Sequence, residues 1–345
     1  MAELRRSFGF PLVVEGGSDV GRVRSNNEDS WGVRWLDDGS LFVIVADGMG
    51  GHEAGEVASG LAVQVVEDVV SRDPEEPPGE RLHAALLEAN AVIVDEGTRA
   101  GTRGMGTTSI TAILRGAQVT IAQVGDSRCY LVRDGHVIWR TMDHTRVQML
   151  VDNGEISEED AKSHPEAGML TRALGHVRMA DGRPLEPEVL DPALTLQDRT
   201  DALVFCSDGL TDLVDDWEIG QTIAGRTPEE AIAELIALAC ERGGHDNITV
   251  IIVATAPRIA AFDPSSAPVA WDADDEPEPD TFDVTADMPA PPPPAPIAYA
   301  PVPMDTPGEP ASNKTMLYIG AAVVAVFVLG VLAFGCAAGA WVAFA

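Results

Sequence analysis

Up to about residue 255, polar and apolar positions follow two periods. Segments 30–36, 41–46, 107–114, 118–124, 128–132 and 137–141 are short and rich in Val, Ile and Thr, which predicts strands. Asp37-Asp38-Gly39 and Asp134-Gly135 separate adjacent pairs of these and predict hairpins, hence antiparallel neighbours. Segments 53–71 and 79–97 instead carry apolar residues at helical spacing, Val57, Leu61, Val65 and Val69 in the first and Leu82, Leu86, Ala89 and Ile93 in the second. Pro228 and Gly243 frame a third helix with Ala231, Leu235 and Leu238 facing inward, and the apolar run 248–254 predicts a buried closing strand. Hairpins interrupted by paired helices predict an α+β fold with helices packed on antiparallel sheet. The pattern does not fix the number of sheets, and it shows no repeat of fixed period.

Past residue 256 the pattern changes twice. Residues 257–313 hold most of the 24 prolines, including Pro291-Pro292-Pro293-Pro294, among Asp and Glu with few apolar positions. Such a stretch cannot bury a core and is expected to be a disordered, partly polyproline linker. From Thr315 to Ala345 there is no charged residue. That exceeds the ~20 residues that cross a bilayer, so 314–345 is expected to form a single transmembrane anchor. Lys314 just before it favours a cytoplasmic head. The domains expected are therefore 1–256, 257–313 and 314–345.

Composition narrows the chemistry. A net charge of −32 over 345 residues repels a phosphate backbone and excludes nucleic acid as a partner. Cys129, Cys206, Cys240 and Cys336 form no CxxC pair, which fits a reducing compartment and does not suggest zinc. Arg5 and Arg6 are followed by no long apolar stretch, so no signal peptide is expected.

Against this background four aspartates stand out. Val43-Ile44-Val45-Ala46 runs into Asp47-Gly48-Met49-Gly50-Gly51-His52, and strand-like runs also finish or break at Asp126, Asp208 and Asp246. Each alone reads equally well as a turn. Together, carboxylates delivered from strand ends to one edge of a β core could not all stay ionised without cations. Hard divalent ions such as Mn²⁺ or Mg²⁺ take such oxygen ligands, and two of them about 3.5–4 Å apart can turn a shared water into a hydroxide near neutral pH.

Seven segments, in order, carry a specific resemblance: 19–29, Asp47-Gly48-Met49-Gly50-Gly51-His52, Gly104-Met105-Gly106-Thr107-Thr108, Val124-Gly125-Asp126-Ser127-Arg128, Thr171-Arg172-Ala173-Leu174-Gly175, Ser207-Asp208-Gly209-Leu210 and Asp246-Asn247-Ile248-Thr249. They resemble the motifs of the metal-dependent serine/threonine protein phosphatases of type 2C (PPM) in their bacterial form, over about residues 15–255. The resemblance implies an antiparallel β-sandwich flanked on both faces by paired antiparallel helices. It also implies hydrolysis of phosphoserine and phosphothreonine by a metal-bridging hydroxide, with two Mn²⁺ or Mg²⁺ ions and a third in bacterial members. Residue by residue, it assigns Asp47 to bridging two ions with the Gly48 carbonyl beside it, Asp208 and Asp246 to one ion, and Asp126 with Asp208 to the third. Arg24 is assigned to the substrate phosphate, Glu28 to metal-bound waters and Asp29 to orienting its neighbours. Residues 145–174 resemble the family's flap, and Asp143-His144-Thr145 a signature without assigned chemistry. Met49 stands where eukaryotic relatives carry a histidine proposed as general acid; His52 is a substitute by position, and the general acid stays unassigned.

The expected partners are phosphorylated proteins, serine/threonine kinases and their substrates, together with the membrane. Two other readings compete: a catalytically silent, membrane-tethered phosphoprotein-binding module, and a metal-dependent nucleotide hydrolase. Intact Asp47, Asp126, Asp208, Asp246 and Arg24 speak against a silent module.

Overall fold

The computed structural model describes residues 12–50, 54–99, 102–197 and 200–255. In chain order the strands are β1 (Leu12–Asp19), β2 (Asp29–Trp35), β3 (Leu41–Met49), β4 (Gly106–Thr107), β5 (Ser109–Arg115), β6 (Gln118–Val124), β7 (Arg128–Arg133), β8 (His136–Arg140), β9 (Glu188–Thr195), β10 (Ala202–Cys206) and β11 (Ile248–Thr255). The helices are α1 (Ala54–Val70), α2 (Pro78–Glu96), α3 (Arg146–Asp152), α4 (Glu158–Lys162), α5 (Asp208–Thr211), α6 (Asp216–Ile223) and α7 (Pro228–Glu241). The strands make two antiparallel sheets, ordered β1-β11-β10-β7-β8 and β2-β3-β5-β6-β9, with β4 paired to β3.

Alternation along β3 sets the layers. Leu41, Val43 and Val45 point into a core shared by the two sheets, where Ile110, Ala112, Ile121, Leu131, Phe205 and Ile251 meet them. Phe42, Ile44 and Ala46 point the other way, onto the buried faces of α1 and α2. On the second sheet Val204, Val250 and Ile252 face outward onto Ile219, Ala231 and Leu235 of α6 and α7. The result is helix pair, sheet, sheet, helix pair, each face closed by a period-matched apolar set. Pro228 opens α7, and Thr227 and Glu230 cap it reciprocally.

Three sequence expectations are corrected. The strand expected over 41–46 continues through Asp47 to Met49, because β4 offers partners: Gly48 faces Thr107 and Met49 faces Gly106. Asp47 thus lies inside a strand, not at its end. The strand expected over 107–114 breaks at Thr108, whose own N–H donates to the Asp47 carbonyl at 2.9 Å. In α1 the fully buried line is Ala54, Ala58, Ala62, Val66 and Val70. Val57, Leu61, Val65 and Val69 are its half-buried flank, since the small alanines let the helix lie close on β3. Among the described residues no helix is long and apolar enough to cross a membrane. The expected linker, the expected anchor and His52 lie outside the described residues.

Candidate active site

Register brings the candidate acids to one end of the sandwich. Asp29 at the start of β2 pairs directly with Asp47 near the end of β3. Ser109 pairs with Val124, so the turn after β6 that carries Asp126 sits at the same end. Cys206 pairs with both Arg128 and Val250, which adds Asp208 after β10 and Asp246 before β11.

Close backbone approach tightens the cluster. A Cβ on Gly209 would fall 2.0 Å from the Asn247 carbonyl, so only glycine lets the start of α5 meet the start of β11. Asn247 then stitches the loop before β2 to this point. It accepts the Glu28 N–H at 2.8 Å and donates to the carbonyls of Val20 at 3.0 Å and Asn26 at 2.9 Å. Asp47 is held by its backbone, its N–H donating to Thr108 Oγ1 at 3.0 Å and its carbonyl accepting Thr107 Oγ1 at 2.8 Å. Gly48 is buried, its N–H donating to the Glu28 carbonyl at 3.1 Å.

The side chains repel one another. Burial pushes the Asp47 carboxyl well above the usual carboxylate range, and the charges of Asp208, Asp29 and Asp126 push it further. Asp208 is raised well above that range by burial and then by Asp126, Asp212 and Asp246, although a hydrogen bond with Asp47 opposes this. Burial, then Asp143, carries Asp126 to about 7, against the pull of Arg128. Burial likewise carries Asp29 to about 6, although the hydroxyls of Thr249 at 2.7 Å and Ser207 at 2.8 Å both donate to its Oδ2. Glu28 is raised by burial against the opposing charge of Arg24. Arg24 is half-exposed and donates from Nη2 to Asp246 Oδ2 at 2.6 Å.

All eight predicted residues, Arg24, Glu28, Asp29, Asp47, Gly48, Asp126, Asp208 and Asp246, therefore share one neighbourhood. As placed, no three His, Cys, Asp or Glu side chains among the described residues close on a single point as a finished ion cage. The donor set nonetheless fits a hard divalent cation: it is all oxygen, it is destabilised by its own charge, and Asp29 Oδ1 and Asp208 Oδ1 are buried without a hydrogen bond. Asp47, Asp126, Asp208 and Asp246, the acids the sequence singled out, are among the oxygen donors of this set.

Sequence reasoning missed Asp212, which acts on both Asp208 and Asp126. Its spacing of four from Asp208 on a helical start was the available signal. It also passed over Asn247, Ser207 and Thr249 as individual residues, because their partners are distant along the chain. Beside the cluster, the segment over 145–174 forms α3 and α4, with its ends pinned by bridges from Thr145 to Leu170 and from Thr107 to Leu174. A cavity of about 640 Å³ opens there, lined by Met49, Met169, Leu170, Arg172, His176 and Arg178 among others.

Residues 17–236 match the family model described as protein phosphatase 2C. The serine/threonine phosphatase stp of Listeria monocytogenes is 39% identical over 242 residues, 68% of this chain and 93% of that protein. The structure of the S. agalactiae serine/threonine phosphatase superposes with a TM-score of 0.65 at 33% identity, covering 71% of this chain and 99% of the other. The catalytic domain of the serine/threonine protein phosphatase PstP in complex with two manganese ions superposes with a TM-score of 0.60 at 35% identity, covering 70% and 97%.

Proposed function

Because the chain belongs to the protein phosphatase 2C family, we infer that it is a serine/threonine protein phosphatase whose Asp47, Asp126, Asp208 and Asp246, with the Gly48 carbonyl, hold Mn²⁺ or Mg²⁺. What supports this is that sheet register gathers the half-buried Asp47, Asp126 and Asp208 at one end of the sandwich, where burial and neighbouring charge raise their carboxyls and a cation or protons would relieve the strain. When bound, such ions supply Lewis-acid polarisation of the phosphoryl group and a water acidified toward neutral pH.

The chain's own residues do the rest. Arg24, at the exposed rim, offers a planar guanidinium suited to two phosphate oxygens, with Asp246 fixing one end of it. Glu28, its carboxyl raised by burial against the opposing charge of Arg24, is the group we assign to accepting a proton from water. Asp29 ties Ser207 and Thr249 across two strands and so steadies the backbone that presents Asp208 and Asp246. Met49 holds no proton to give, so the leaving serine or threonine oxygen is not protonated from that position.

The same reading extends to the ends of the chain. The uncharged run 315–345 supports a single membrane anchor, and the Pro-rich acidic segment 257–313 supports a linker that lets a cytoplasmic head reach phosphorylated kinases and their substrates at one membrane. The catalytic reading is tested by phosphate release from a phosphothreonine peptide. Wild type is expected to turn over with Mn²⁺ and stop with chelator, and Asp208→Asn to lose activity by about 10²-fold or more while still folded. Turnover unaffected by chelator, or by Asp208→Asn, would refute it.

A further inference from the structure

The turn that carries Asp126 is gripped from two sides. On one, Gln123 Nε2 donates to the carbonyls of Gly125 at 3.1 Å and Ser127 at 3.2 Å, and Ser127 Oγ meets Thr108 Oγ1 at 2.7 Å. On the other stands His144, buried, whose backbone N–H donates to the Gly125 carbonyl at 3.0 Å and whose Nδ1 lies 3.2 Å from the Gly125 nitrogen. Gly125 adopts φ +104°, which glycine takes without strain and L side chains rarely adopt, so the shape of the turn is held by these bonds and not by a side chain at 125.

These contacts fix the tautomer of the ring. The Gly125 N–H can only donate, so Nδ1 carries the lone pair and Nε2 the proton. Nε2 then donates to Glu188 Oε2 at 2.8 Å. Arg172 Nη1, 3.2 Å from Nε2, forms an ion pair with the same carboxylate oxygen at 3.6 Å. The ring is thus aimed by Glu188 on β9 and delivers its lone pair to the amide one residue before Asp126. The His144 carbonyl accepts the Thr171 N–H at 2.8 Å, so its backbone is anchored independently of the ring.

We propose that His144 is a positioning residue for Asp126: its Nδ1 lone pair, oriented by Glu188, holds the Gly125 amide and thereby sets where the Asp126 carboxylate is presented to a divalent ion. The proposal rests on the reading above that Asp126 is a cation ligand. Outer-shell partners of this kind typically change metal affinity about 10–100-fold when removed.

The test is calorimetric titration with Mn²⁺ alone, beside thermal melting and the Mn²⁺ dependence of phosphate release from a phosphothreonine peptide. His144→Leu fills the space without an acceptor, His144→Asn restores an acceptor near Nδ1, and Asp126→Asn is the reference. His144→Leu is expected to weaken the Mn²⁺ site that Asp126→Asn also weakens, by about tenfold or more, with His144→Asn closer to wild type. Wild-type titration of His144→Leu beside an impaired Asp126→Asn overturns this inference alone, as does equal impairment of His144→Leu and His144→Asn. Wild-type titration of Asp126→Asn removes the assignment of Asp126 and this inference with it. Should His144→Leu fail to fold, Glu188→Ala, at a side chain 40% exposed, removes the ring's other anchor without touching the core. It must shift Mn²⁺ affinity in the same direction, and no shift overturns the proposal.

Discussion

Without cations, the acidic cluster makes the folded protein less stable as pH rises, and Asp208→Asn relieves this. The sign follows from the direction of the shifts. Asp29 and Asp126 are carried from 3.8 to about 6 and about 7, so between about pH 4 and 7 the folded state binds more protons than the unfolded one, and stability falls through that window. For Asp29 alone the move corresponds to about 3 kcal/mol at 1.36 kcal/mol per unit. In a domain of this size, that corresponds to a Tm lower by about 6–12 °C. The penalties of neighbouring acids overlap and do not sum. Asp208 raises Asp47 and is itself raised by Asp126, so an uncharged amide at 208 removes one charge from the cluster and lets Asp47 ionise at lower pH. In chelator, wild type is expected to lose several degrees of Tm between pH 5 and pH 8, and Asp208→Asn distinctly less. At pH 8 the variant should melt above wild type although it is inactive. Adding Mn²⁺ at pH 8 should raise the wild-type Tm and move the variant far less. The assay is thermal unfolding followed by circular dichroism at both pH values, with chelator or Mn²⁺. If Asp208→Asn melts at or below wild type at pH 8 in chelator, or shows the same pH slope, the cluster is not held under electrostatic strain and the reasoning fails.

Away from the site, Arg81 is 1% exposed, gives Nη1 to Asp38 at 3.0 Å and donates from Nε to the Val70 carbonyl at 3.1 Å. Asp38→Ala strands that charge and should cost about 3–5 kcal/mol by urea titration. In wild type burial opposes ionisation of Asp38, but hydrogen bonds from Ser40, Arg81 and Arg115 carry it down to about 2. That contribution is complete above pH 4 and lost as pH falls toward 2, which acid titration of stability checks. Arg24→Ala should raise KM for a phosphopeptide about tenfold or more; an unchanged KM removes Arg24 from substrate binding. Expressed full-length, the protein should sediment with membranes, and a chain ending at residue 313 should not; equal partitioning would refute the anchor.

The legible parts of this protein were those whose cause is local. β3, β5 and β6 declare themselves because most of their positions are apolar or β-branched and buried on both faces, and α2 and α7 because their apolar spacing follows their buried faces. β1 and β9 do not, because they lie at sheet edges with few fully buried positions, and β1 carries Gly16-Gly17 in its middle. The acids of the site were legible one by one, each beside a glycine or a hydrophobic run. Their relation to one another was not. Nothing near Asp246 in sequence says that Arg24 pairs with it. Nor does anything near Asp29 say that Ser207 and Thr249 donate to it, since those contacts span 178 to 222 positions. Asp143-His144-Thr145 shows the same limit, for its ring and backbone reach the turn before Asp126 from 19 residues away. A carboxylate's protonation depends on the field of its neighbours, and here those neighbours are brought in by sheet register. Pairing Asp29 with Asp47, and Cys206 with Arg128 and Val250, is therefore what turns separate motifs into one charged cluster. By the same logic, a substitution that shifts register by one residue would turn Asp47 to the opposite face of β3 and dissolve the site even with all its acids present.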